Sequence, residues 1–434
     1  MKRLFIPLLA LLVAVPVSAQ TWSLDNCIDY ALEHNPTILH SQVQYDIQNS
    51  VVSEATGARV PVIKIGAQET FHAGNLQMMY GIDGNAVMGL TQMAASFEMP
   101  LLTGGAIPNR NSAEKSSLKV AEENIAVSRL NVKIKVAAAY MQLLNDLNME
   151  RIALEQMQLC KKQLDYVTQL VEGGRRTQAD LSEAKSSLST SEFAYTEAKG
   201  NTAISKLALI NLLGLDSQSP FEVEELSDNV EGVKNLALMD IIADIDRHPA
   251  VMSAKYNLES AGYREKAVRG GIYPQISLFA NYNNYFFLPI GTSDYPKVSE
   301  QLAKYGWGAV GLKLSIPIID IVSKRKVKTA KLGISNAQIT LDESRKNVTM
   351  QMSESYCQTV VSKDRYFSAQ NAEDAAHKAY ESQKALYDAG RSTSFDLEQS
   401  RLKWFKAGQT TIRSKYEYIL RSKILEYYNI ATEE

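Results

Sequence analysis

The chain has 434 residues, 45% of them hydrophobic, and its 46 Lys and Arg nearly balance 48 Asp and Glu for a net charge of −2. That length allows two or three ordinary domains, and a near-neutral chain without a basic block argues against a nucleic-acid partner. Three cysteines (Cys27, Cys160, Cys357) form no C-x-x-C pair and five histidines form no H-E-x-x-H, so neither a metal nor a catalytic framework is suggested.

The N-terminus reads as an export signal. Lys2 and Arg3 precede the apolar run "LFIPLLALLVAVPV", and Val17-Ser18-Ala19 fits a cleavage site, so residues 1–19 are expected to be removed. No cysteine follows the cut to take a lipid. Beyond it no run of eighteen apolar residues occurs, so no transmembrane helix is expected.

A helix is then predicted from Pro36, because proline at the first helical position gives up no hydrogen bond and pre-sets φ. It runs about 20 residues to Gly57. A strand follows through "GARVPVIKI", then a loop over 72–85, a second strand ending at Pro100, and a helix across 112–172, which holds no proline or glycine. The corner "GGRRTQADLSEA" (173–184) leads into a further helix of about 35 residues.

The same order then repeats. His34-Asn35-Pro36 is answered by Arg247-His248-Pro249 at an offset of 213, Ile28 by Ile241, Pro61 by Pro274, Pro100 by Pro317 and Tyr140 by Tyr356. The long helix returns across 323–389, interrupted only by Gly333, and the corner returns as "AGRSTSFDLEQS" (389–400). At an offset of 216, Gly174 falls on Gly390, Thr177 on Thr393 and Asp180 on Asp396. The chain therefore reads as an internal duplication, with a first repeat over 20–220 and a second over 221–434. At 1.5 Å per residue a long helix spans about 90–100 Å, nearly the summed length of the two shorter ones. Seven-residue recurrences (Ile125, Val132, Ala139; Val127, Ile134, Met141) predict coiled-coil packing.

The strands, each expected to be about ten residues, alternate. Ile276, Leu278, Ala280 and Tyr282 oppose Gln275, Ser277, Asn281 and Asn283, with Phe279 an exception; Val310, Leu312, Leu314 and Ile316 oppose Gly311, Lys313 and Ser315. Ile63, Ile65, Ala67 and Phe71 share a face on which Glu69 also falls. One apolar and one polar face fit a membrane barrel with a wet lumen, and also a soluble sheet packed on one side. An exported chain without an amphipathic partner for these strands favours the barrel. Four strands cannot close one, and open edges cannot face lipid, so other copies of the chain must complete it.

With "LDNCIDYALEHNPTI", the doubled helix-strand-strand-helix order, the proline after each strand pair and the Gly-x-(Arg)-Thr-x-x-Asp-Leu corner, the chain resembles the TolC-like outer-membrane efflux protein family over essentially all its mature length. The resemblance implies a mainly α fold with a small β part: a trimeric α/β barrel, four transmembrane β-strands plus long coiled-coil helices per chain. It further implies outer-membrane lipid around the barrel, helices in the periplasm, and a passive exit duct for small toxic compounds served by a periplasmic adaptor and an inner-membrane pump. A polypeptide-secretion duct, or a coiled-coil envelope protein that is no channel, is the alternative. The loops 72–85 and 285–307 would lie outside the cell. No enzymatic role and no cofactor is expected.

In the family the corners are the periplasmic tips that form the gate and meet the adaptor. This assigns Gly174, Arg176, Thr177, Asp180, Gly390, Arg391, Thr393 and Asp396 as tip residues. Asp396 matches an acidic constriction position, whereas the next one falls on Gln399. From the residues alone, Gly174 and Gly390 suit left-handed helix ends, and Thr177-x-x-Asp180 and Thr393-x-x-Asp396 read as capping boxes. Capping and gating remain alternative roles for the two aspartates. The three cysteines read as buried apolar residues, and His34 and His248 as neighbours of helix caps.

Overall fold

Proline-primed helices and glycine-stopped ends divide the chain as the sequence suggests. A computed structural model describes residues 21–75, 85–217, 220–226, 244–289 and 297–429. The signal segment, Ile241 and the middles of both strand-connecting loops lie outside these residues. In chain order the elements are β1 (Thr21–Trp22), α1 (Leu24–His34), α2 (Pro36–Gly57), β2 (Val62–Asn75), β3 (Asn85–Thr103), α3 (Ala106–Glu172) and α4 (Gln178–Leu213). There follow β4 (Glu222–Val223), α5 (Pro249–Gly270), β5 (Gln275–Pro289), α6 (Val298–Lys304), β6 (Trp307–Ser315), α7 (Ile321–Asp388) and α8 (Ser394–Tyr428). Helices α2 and α5 each have 22 residues, α3 and α7 have 67 and 68, and α4 and α8 have 36 and 35. The fold is mainly α with a small β part, as expected.

Contacts sort the chain into two compact units, each drawing on both sequence halves. One comprises residues 1–42, 125–248 and 347–434; the other comprises 43–124 and 249–346.

The first unit is built around α1, α3, α4 and α8. Leu24, Cys27, Ile28 and Ala31 on α1 pack with Val136, Tyr140 and Leu144 on α3 and with Leu209 and Leu213 on α4. Tyr140 is fully buried, and its hydroxyl lies 3.0 and 2.7 Å from the carbonyls of Trp22 and Glu224. It thereby ties together the short parallel pair β1–β4. Burial pushes the Cys27 thiol up to about 12, which leaves it a thiol at neutral pH. Cys160 is buried too, but Cys357 is exposed, a correction: it falls on the outward stripe of α7 with Met350 and Glu354. His34 ends α1, and the capping at the next step belongs to Asn35, whose Oδ1 accepts the Thr37 N–H at 2.9 Å.

The second unit carries the antiparallel sheet β2-β3-β5-β6. Register sets one continuous apolar face: Ile63, Ile65, Ala67 and Phe71; Phe97, Ala95 and Met93; Leu278, Ala280 and Tyr282; Leu312 and Val310. Much of it is bare, with Ile65 80% and Val310 78% exposed. Both irregularities of the alternation are explained by cross-strand partners. Glu69 does lie on the apolar face, and the Thr91 hydroxyl directly opposite donates to its carboxylate. Phe279 lies on the polar face above its opposed partner Gly311, where an added Cβ would come within 3.0 Å of the ring. Pro100 sits where β3 slips register by one residue, as an imide that cannot donate to a ladder requires.

Two expectations change. Strands β2, β3 and β5 have 14, 19 and 15 residues, longer than the ten or so expected. Residues 285–307 are not one loop: β5 continues to Pro289, and α6 docks against it. There the side chain of Gln301 accepts the Phe287 N–H at 2.8 Å and donates to the Phe287 carbonyl at 3.2 Å, supplying the ladder partner that β6 is too short to reach. Asn284 donates to the Leu302 carbonyl at 2.9 Å.

Below the sheet, the turn from β3 into α3 approaches the end of α5. Gly104 has φ +58°, and a Cβ there would stand 2.4 Å from the Gly270 carbonyl oxygen. Gly104→Ala should therefore lower stability by about 1–3 kcal/mol. Gly333→Ala, in an open helical position with nothing within 4 Å, should raise it by about 0.5–1 kcal/mol. Thermal unfolding of the two variants checks the contrast; similar melting temperatures would contradict it.

Candidate functional site

The duplicated corner is built the same way twice. Helix α3 ends in a left-handed glycine, Gly174 at φ +70°, and α7 in Gly390 at φ +72°. The Arg175 N–H bonds the Leu170 carbonyl at 2.8 Å and the Gly174 N–H bonds that of Val171 at 3.0 Å. Arg391 to Leu386 and Gly390 to Tyr387 repeat both distances. This paired pattern satisfies the carbonyls a helix end leaves open, and only glycine adopts the required φ without strain.

Each following helix is capped by its threonine. The Thr177 hydroxyl accepts the Asp180 N–H at 3.2 Å and the Asp180 carboxylate accepts the Thr177 N–H at 3.0 Å, completing a capping box. Thr393 accepts the Asp396 N–H at 3.1 Å, and its hydroxyl donates to that carboxylate at 2.6 Å. The structure thus bears out the capping box at the first corner; at the second the threonine caps the helix, but the reciprocal bond from the Thr393 N–H to Asp396 is not formed among the described residues.

It also brings the two corners together. The Ser394 hydroxyl, at the first position of α8, donates to Asp180 Oδ1 at 3.3 Å. The Arg176 guanidinium lies 4.9 Å over the ring of Tyr387, a buried residue in the last turn of α7. Arg391, Thr393 and Asp396 are exposed, as is Gln399. The aspartates consequently differ. Asp180 is held below its ordinary value of 3.8 by the Thr177 N–H and hydroxyl, then by the Ser394 hydroxyl and the Arg176 charge. Asp396 projects into solvent.

Behind the corners lies a polar cluster that sequence reasoning did not find. Arg401 on α8 is buried; its Nη2 donates to Glu398, lies 3.4 Å from the Ser187 hydroxyl and 3.2 Å from Cys160 Sγ. Ser187 in turn donates to Glu398 Oε1 at 2.9 Å. These side chains, with Asp180 and Ser394, line a cavity of about 40 Å³. That is room for a few waters and for no cargo. The cluster joins α3, α4 and α8 through groups hundreds of residues apart, and no short motif announces it. Among the described residues no group of three or more His, Cys, Asp or Glu could hold a metal.

A sheet with one bare apolar face, long helices and two matching corners fit an outer-membrane channel fold. Residues 27–215 and 244–426 match the family model of the outer membrane efflux proteins. The chain belongs to that family. Among curated relatives, Protein CyaE of Bordetella pertussis is 21% identical over 326 residues, 73% of this chain and 65% of the relative, so the matched region spans just under two thirds of that protein. Outer membrane efflux protein BepC of Brucella suis is 20% identical over 383 residues, covering 88% of this chain and 79% of BepC. The CmeC outer membrane channel of Campylobacter jejuni superposes with a TM-score of 0.80 at 17% identity, covering 94% of this chain and 85% of CmeC. At that identity the likeness establishes the fold.

Removing the Thr177 cap as Thr177→Ala should cost about 1 kcal/mol. Its readout is faster amide exchange in the first turn of α4. For Asp180 the sign follows from its lowered value. Its stabilisation is present above the ordinary value of 3.8 and is lost as pH falls through the lower folded value. The difference in exchange between wild type and Asp180→Asn should therefore be full at pH 7 and vanish in strong acid; a difference that grows on acidification would contradict it.

Proposed function

We propose that the chain is the exit duct of a tripartite efflux system for small toxic compounds. Three copies would pool their strands into a twelve-stranded outer-membrane barrel, continued by helices through the periplasm. The observation that supports this reading most is the sheet. Its apolar face is exposed, and β2 and β6 are edge strands with no further partner among the described residues. Unpaired backbone groups cannot face lipid, so the sheet needs neighbours of its own kind on both sides. A passive duct also fits a chain whose polar cluster around Arg401 is closed up around its own side chains.

Within this reading the paired corners are the periplasmic tips. Gly174, Arg176, Thr177, Asp180, Gly390, Arg391, Thr393 and Asp396 would form the gate and meet the adaptor, while an inner-membrane pump supplies the energy. The geometry suggests a division of labour. Asp180 is consumed by its own cap and by Ser394, which suits a structural role; Asp396 keeps an exposed carboxylate, which suits the ion path. The acidic ring would be weak, because Gln399 stands at its second position.

Conductance in planar bilayers tests both levels. Wild type should insert and conduct with a preference for cations, and Asp396→Ala should reduce that preference while Asp180→Asn leaves it near wild type. A preference unchanged in Asp396→Ala would remove the gate role and leave capping. A purified protein that never conducts would sink the duct itself.

A further inference from the structure

The apolar face of the sheet does not stop with the sheet. On β6 the outward row Val310, Leu312 and Leu314 continues past the last ladder pair into Ile316 and Ile318, followed by Ile319; Leu314 is 60% exposed and both Ile318 and Ile319 are 86% exposed. Ile321 and Val322, at the start of α7, are exposed as well. Directly after them the sequence reads "SKRKVKTAK": Lys324, Arg325, Lys326, Lys328 and Lys331, all exposed. From Ile321 to Leu341 there is no acidic residue. The near-neutral chain thus holds a local cationic block that a whole-chain charge count hides, which corrects the expectation that no basic block occurs.

The block touches the fold only weakly: the Lys326 charge is the last of the causes that hold the capping Asp320 below its ordinary value. None of the five cations forms an ion pair among the described residues. The start of a helix is its positive end, so cations there add to the dipole field instead of offsetting it. Asp320 caps the helix by accepting the Ser323 N–H at 2.9 Å, and one aspartate cannot neutralise five charges. The duplication does not explain the block either. The matching stretch of the first repeat, residues 104–114, carries one cation, Arg110, and one acid, Glu114. Helical spacing places Lys324, Lys328 and Lys331 on one face with Ile321, a lysine stripe running away from the isoleucines.

Apolar side chains ending against long cations is the pattern of a membrane–water boundary, where the stems lie along apolar surface and the charged heads reach phosphates. We propose that the start of α7 binds the phosphate headgroups of anionic phospholipid in the leaflet on the helical side of the sheet. This rests on the duct reading above. The occupant follows from continuity with the lipid-facing row and from charge complementarity. Lys324, Lys328 and Lys331 bind the headgroups, and Ile318 and Ile319 lie among the acyl chains just above them.

The test is native mass spectrometry of the full-length protein purified in detergent, with phosphatidylglycerol or phosphatidylcholine added at equal concentration. Assembly and bilayer conductance are measured on the same preparations. Wild type should retain phosphatidylglycerol about tenfold more than phosphatidylcholine, and lose that preference at high salt. The variant K324Q/R325Q/K326Q/K328Q/K331Q should assemble and conduct as wild type does, yet retain both lipids equally. Equal retention by wild type would overturn the proposal, as would a variant that keeps the preference. A variant that fails to assemble, beside a wild-type preference that survives high salt, would also overturn it, because the cations would then pair with a neighbouring copy. Loss of the duct reading shows separately, as wild type that does not conduct.

Discussion

An unpaired strand edge beside an exposed apolar face is the constraint from which the rest follows. A backbone N–H or C=O in hydrocarbon has no water to turn to, and each unmet group costs several kcal/mol. The sheet β2-β3-β5-β6 has two edges and one bare face. In water the bare face is the liability while the edges are hydrated; in lipid the face is at home and the edges are not, unless the sheet is continued. Gln301 shows the same pressure on a smaller scale, since its amide pairs with Phe287 where β6 runs out.

The helical part answers a different demand. Long helices need partners along their length, and their ends need partners for the orphan groups. At the corners both needs are met within a few residues: a left-handed glycine closes one helix and a threonine opens the next. Doing this twice makes two hairpins; linking the copies through Ser394 and Asp180 adds one more bond between hairpins already joined by Arg176 with Tyr387 and Ser187 with Glu398. Exact repetition would give both aspartates the same role. The Ser394 bond breaks that symmetry, engaging a second oxygen of one carboxylate and leaving the other carboxylate to its own cap and to solvent.

Much of this was legible from sequence because it depends on local chemistry. Pro36 and Pro249 mark helix starts, Gly57 and Gly270 mark ends, and Thr-x-x-Asp announces a cap; each works through a few neighbouring residues. The strand faces were legible by alternation, including the two places where it breaks. What stayed hidden depends on distant partners. Arg401 with Cys160, and Tyr140 with the carbonyls of Trp22 and Glu224, pair residues far apart in the chain, with no periodicity to reveal them. Strand lengths were underestimated because β2 and β5 run on through His72 and Phe286 into segments whose composition resembles loop. The α6 helix was missed because its seven residues are too few to show a period.

The central claim is that three chains close what one leaves open. Single-particle imaging of the detergent-purified protein, with its mass measured in solution, tests it directly. The account predicts a particle with threefold symmetry and the mass of three chains. A stable monomer, soluble without detergent, would contradict it.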